Sequence, residues 1–149
     1  GECLERIPAD VPDNVRLCLH VCYGDYSRIY PEILEFPVDE FDIELCNKDY
    51  EQLDVFKDPE FTKDLAFGVV DAHVGEVESV EEIEANIRKA LEVVPPEQLT
   101  ISPDCGLKLL PREVAYGKME NLVQAARNVE ADLDAGEISA GQSQAVADD

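Results

Sequence analysis

The chain has 149 residues, one domain's worth of sequence, and no apolar run approaches the roughly 18 residues that a membrane span requires. Asp and Glu number 34 against 12 Lys and Arg, a formal charge of −22. That balance argues against a nucleic-acid partner and against adhesion to anionic lipid, because both need a basic patch.

Two readings of the acidity compete. One is a solvated surface that keeps the protein soluble. The other is the carboxylate coat of a salt-loving organism, where concentrated salt screens the self-repulsion. The spread of acidic residues along the whole chain favours the second. No basic, apolar leader is read at the N-terminus, which is Gly1 rather than Met, so a processed product or a piece of a longer polypeptide is expected. The five cysteines (Cys3, Cys18, Cys22, Cys46 and Cys105) form no CxxC pair. An odd count of this kind points to a reducing, cytoplasmic setting, with thiols kept for packing or metal.

After a lead-in over residues 1–14, four strand-then-helix units follow. The first strand is Val15 to Val21, with a helical stretch around Ser27 to Glu35. The second is Phe41 to Leu45, with a helix around Tyr50 to Lys57. The third is Leu65 to Val70. Its helix carries the best signal in the chain, since Ser79 and Glu82 form a capping box. Val80, Ile83, Ile87, Leu91 and Val94 then recur as one apolar stripe until Pro95-Pro96. The fourth strand is Leu99 to Ile101, and its helix starts at Pro111, with Val114, Leu122, Ala126 and Val129 on one face. Residues 131–149, rich in Gly, Ser, Gln and Asp, read as a disordered acidic tail.

Strands alternating with helices read as parallel βα units, an α/β fold. Four such units make a small open sheet or half of a (β/α)8 barrel, which needs about 250 residues to close. In either case ligands bind beyond the carboxyl ends of the strands.

Chemistry-bearing side chains collect at those ends. Cys18, His20 and Cys22 alternate onto one face of the first strand. Glu44 follows Ile43 at the end of the second, His73 ends the third, and Cys105 follows the fourth in Ser102-Pro103-Asp104-Cys105-Gly106. Each has a bland reading alone: His20 and Cys22 as packing, Glu44 as a solvated carboxylate, Cys105 as buried filler. Together His20, Cys22, Glu44 and Cys105 occupy three of the four strand ends. Imidazole, thiolate and carboxylate are the donors that tetrahedral zinc takes, and thiolates select against magnesium and calcium. His73 is read as a further ligand, a general acid or a loop histidine.

The stretches His20-Val21-Cys22-Tyr23-Gly24-Asp25, Ile43-Glu44, Asp71-Ala72-His73 and Ser102 to Lys108 resemble the C-terminal catalytic domain of cobalamin-independent methionine synthase. The likeness runs over nearly all of residues 15 to 130, in motifs and in the gaps between them. It implies a TIM barrel with zinc held by His20, Cys22, Glu44 and Cys105. It further implies that homocysteine sulfur joins the metal and that Glu44 can give way. His73 would then donate a proton to the departing methyl carrier, a methylated folate-type pterin or a corrinoid. The same resemblance implies that half of the barrel is absent, so residues 15–130 are expected to need that half or to self-associate. Cys46 and Asp42 depart from clear roles: Cys46 is read as packing, and Asp42 as a buried carboxylate whose partner the sequence does not name. Two rivals stand beside this reading. One is a related zinc enzyme acting on another thiol such as coenzyme M. The other is a non-catalytic metal-binding remnant.

Overall fold

The computed structural model describes residues 6, 11, 12, 14–57 and 61–138. Four strands form, β1 (Cys18–Val21), β2 (Glu40–Ile43), β3 (Asp64–Val70) and β4 (Leu99–Pro103). They lie side by side in sequence order, and every pair is parallel. The expected α/β arrangement of four parallel units is therefore what the chain adopts.

Side chains alternate across the sheet. One face presents Leu19, Phe41, Ile43, Leu65 and Phe67 to the hydrophobic core. On the other face the register sets His20 opposite Asp42, Asp42 opposite Ala66 and Ala66 opposite Thr100. Small and polar groups thus share one row, and its upper end leads to the candidate ligands.

Two helices cover the apolar face. Helix α1 (Val80–Ala90) starts at the expected capping box: the Ser79 side chain accepts from the Glu82 amide, and the Glu82 side chain accepts from the Ser79 amide. Its Ile83, Ile87 and Ala90 are buried. Helix α2 (Arg112–Ala135) begins after Pro111 and buries Leu122, Ala125 and Val129. It stops at Gly136, whose φ of 72° is the left-handed conformation that glycine adopts without a Cβ penalty. The helix therefore continues past residue 130, and residues 139–149 lie outside the described part, as does most of the lead-in.

The first two crossovers differ from the expected helices. The stretch from Ser27 to Glu35 forms two 3-10 turns, Tyr26–Arg28 and Glu32–Glu35. Pro31 stands between them and has no N–H to donate to a continuing helix. The stretch near Tyr50 likewise gives Cys46–Lys48 and Leu53–Lys57, separated by Asp49 and Tyr50 at φ of 50° and 62°. Left-handed residues cannot carry an α-helix onward. These turns still seal the core: Tyr26, Tyr30, Phe56 and Phe61 bury their rings against one another. Among the described residues no helix is long and apolar enough to cross a membrane.

Candidate metal centre

His20, Cys22 and Cys105 meet at the carboxyl ends of the strands. Their ligand atoms, one imidazole nitrogen and two sulfurs, all lie within 4.8 Å of one another. Cys22 and Cys105 are 83 positions apart in the chain, and both are free thiols. A pocket of about 450 Å³ opens beside them, lined by His20, Asp42, Ser102, Cys105, Leu107 and Met119.

The carboxyl end of β1 is bound to that of β2 by Tyr26. Its buried hydroxyl lies 3.0 Å from the Val21 carbonyl and 3.1 Å from the Glu44 carbonyl. The residues that follow these carbonyls or carry them, Cys22 and Glu44, are thereby brought to one level. Glu44 is fully buried and stands outside the three-residue cluster. One of its oxygens accepts from Asn47 Nδ2, and the other, Oε2, is buried with no hydrogen-bond partner. A buried carboxylate oxygen without a donor is costly and suits a cation.

The loop that carries Cys105 is held by Asp104, which is also fully buried. Its carboxylate accepts the backbone N–H groups of Leu45, Cys46 and Asn47 at 3.0, 2.9 and 2.7 Å. This one side chain clamps the end of β4 onto the loop after β2. Burial pushes its carboxyl up to about 6, against the pull of the three N–H donors, and the Glu44 charge adds to the rise. Gly68 makes the space: a Cβ there would stand 2.1 Å from Asp104 Oδ1.

Asp42 has partners that its sequence position did not reveal. His20 Nδ1 lies 2.7 Å from one carboxylate oxygen, and the Ser102 hydroxyl donates to the other at 2.8 Å. Asp42 thus holds the ring by Nδ1 and leaves Nε2 for a metal, the usual carboxylate–histidine arrangement around zinc. Cys22 carries a thiol raised above its ordinary value, first by desolvation at the strand end and then by Cys105 and Glu44. Negative neighbours resist a thiolate, and a bound cation would reverse that balance.

His73 is held between Asp71 and Tyr23. Its Nδ1 is 3.1 Å from Asp71 Oδ1, which also accepts the His73 backbone N–H at 2.7 Å. Its Nε2 is 2.5 Å from the Tyr23 hydroxyl. Tyr23 follows Cys22 directly and adopts φ 55°, a conformation uncommon for a non-glycine residue. Nothing in the residue pattern singled out Tyr23, Tyr26 or Asp104, although all but Tyr26 stand inside the quoted motifs. Cys46 lies apart from the cluster: burial pushes its thiol up to about 11, and its sulfur is 4.0 Å from Asn86 Nδ2.

Parallel βα units with two free thiols and an imidazole gathered at the strand ends define half of a barrel-type α/β fold with a candidate metal centre. Residues 6–128 match the family described as "Cobalamin-independent synthase, Catalytic domain". The chain belongs to that family. It is 44% identical over 120 residues to a methionine synthase of Saccharolobus solfataricus, covering 80% of this chain and 36% of that protein. A methionine synthase of Sulfolobus acidocaldarius is 41% identical over 120 residues, covering 80% and 35%. The chain therefore spans about a third of the length of these curated relatives. Among solved structures, a B12-independent methionine synthase from Shewanella sp. W3-18-1 superposes with a TM-score of 0.75 at 24% identity, over 90% of this chain and 43% of that one. The fold is accordingly half of a TIM barrel.

Proposed function

We propose that the chain is the metal-binding half of a zinc-dependent barrel that transfers a methyl group to the homocysteine thiol and so forms methionine. The observation that carries this reading is the convergence of His20, Cys22 and Cys105 within 4.8 Å, in a chain whose curated relatives are methionine synthases. Two thiols and one imidazole suit zinc. Glu44, with its unpartnered Oε2, is the fourth and displaceable donor. Bound zinc would supply the Lewis acidity that keeps a substrate sulfur deprotonated and nucleophilic at neutral pH.

The remaining work falls to residues of this chain. Asp42 orients His20, and Asp104 holds the Cys105 loop. Asp71 fixes Nδ1 of His73, so Nε2 is the nitrogen that delivers a proton to the leaving nitrogen of a methylated folate-type pterin. Strands β1 and β4 each have one neighbour only among the described strands, and their open edges are the seams where the other half of the barrel pairs.

The test supplies that other half. The assembled barrel, loaded with zinc, is expected to methylate homocysteine, and Cys105→Ser is expected to lose both metal and turnover. Stoichiometric zinc without methyl transfer, with both halves present, would instead favour a metal-binding remnant. Turnover with coenzyme M but not with homocysteine would move the chain to a sister activity.

A further inference from the structure

Helix α2 contains a lysine that the metal cluster does not use. Lys118 is fully buried, although it lies on a helix facing the loop that carries His73. Its Nζ donates to both oxygens of Glu78, at 2.9 and 2.8 Å. Glu78 Oε1 also accepts the backbone N–H of Asp71 at 3.0 Å. One carboxylate therefore joins α2 to the first residue of the Asp71-Ala72-His73 segment. Two neighbours on the helix reinforce the contact. Asn121 Nδ2 donates to the Glu78 carbonyl at 2.7 Å, and Gly117 lets Val77 approach so closely that a Cβ would meet its methyl at 3.2 Å.

An ion pair with its lysine buried and its carboxylate half-buried is weak as a source of stability, since desolvation offsets much of the attraction. Its value here lies in what it holds. Asp71 caps β3 with an amide that no strand pairs, and its own carboxylate orients the His73 ring. We propose that Lys118 and Glu78 form a latch that positions His73 against Tyr23, the residue that follows Cys22, with Glu78 Oε1 on the Asp71 amide as its working contact. Lys118 holds that carboxylate in place by donating to both of its oxygens. It is a positioning residue and does not touch the reacting atoms. The inference rests on the proposed role of His73 as proton donor, but its geometry is tested without turnover.

The experiment uses the whole chain with one equivalent of zinc and reads nuclear Overhauser contacts between the rings of Tyr23 and His73, whose centroids are 5.3 Å apart. The chain has two histidines, so His20 serves as the internal control. Two charge-neutral double variants are compared, because neither strands a lone buried charge. Lys118→Met with Glu78→Gln retains an amide oxygen for the Asp71 N–H and is expected to keep the Tyr23–His73 contact. Lys118→Met with Glu78→Ala removes the acceptor and is expected to lose it, with the His20 resonances and the zinc stoichiometry unchanged. Identical behaviour of the two variants, both keeping or both losing the contact, overturns the latch. Should the alanine variant not fold, amide exchange in the unaltered chain decides: an Asp71 N–H that exchanges freely while the β3 core is protected overturns it as well. If the latch holds while the assembled barrel transfers no methyl group, the function reading fails and the positioning contact stands.

Discussion

Asp42 holds His20 through Nδ1 at 2.7 Å, across a register pair of adjacent parallel strands. Ser102, on β4, donates to the other Asp42 oxygen at 2.8 Å, so three strands meet in one carboxylate. The ring orientation is consequently set before any metal arrives.

Removing this support should weaken the metal site without unfolding the sheet. For Asp42→Ala the affinity for zinc is expected to fall about 10- to 100-fold, the usual effect of losing a carboxylate behind a ligating histidine. Competition against a coloured chelator measures it. An unchanged dissociation constant would show that His20 is oriented by something else.

Zinc uptake should release protons. The Cys22 thiol is raised by desolvation, by Cys105 and by Glu44, so the metal-free site holds it protonated at neutral pH. Binding requires thiolates, so affinity should rise with pH and fall on acidification. Protons are expected to be released at pH 7, about one per zinc from Cys22. Calorimetry in buffers of different ionisation enthalpy counts them, and a count near zero would exclude thiolate ligation.

Gly68→Ala tests the clamp at Asp104. The new Cβ would overlap Asp104 Oδ1 at 2.1 Å and press on its Cα at 3.0 Å, where backbone cannot easily give way. A loss of about 3 kcal/mol is expected, as for other overpacked core positions. Because Asp104 precedes Cys105, weaker zinc binding should accompany it. Denaturant melts together with metal titration check both effects, and a stable variant that binds zinc normally contradicts the clamp.

Salt should raise stability. With a formal charge of −22, the folded chain repels itself. Screening shortens to about 3 Å at molar salt, so the melting temperature should climb steadily into that range. A flat response to potassium chloride would return the acidity to ordinary surface solvation.

The strands and the ligand types were legible in the linear pattern because both rest on local rules. Period-two alternation put His20 and Cys22 on one face, and the apolar stripe with its Ser79–Glu82 box marked α1 closely. The first two crossovers were not legible as turns. Pro31, Asp49 and Tyr50 overrode a helical pattern that composition alone supported.

The partner of Asp42 and the roles of Tyr26 and Asp104 were hidden for a different reason. Asp104 bonds to amides 57 to 59 residues away, and Asp42 reaches Ser102 across 60. No local periodicity records such a contact.

What the chain's order of residues determined by itself was a supply of soft donors at strand ends and a four-unit α/β scaffold to carry them. Only the tertiary structure decided that two sulfurs and an imidazole stand within 4.8 Å while Glu44 stays outside that group, its unpartnered oxygen buried. The reason is physical: donor type belongs to each residue alone, whereas distance between donors is set by how β1, β2 and β4 register and by the buried side chains that tie their ends together.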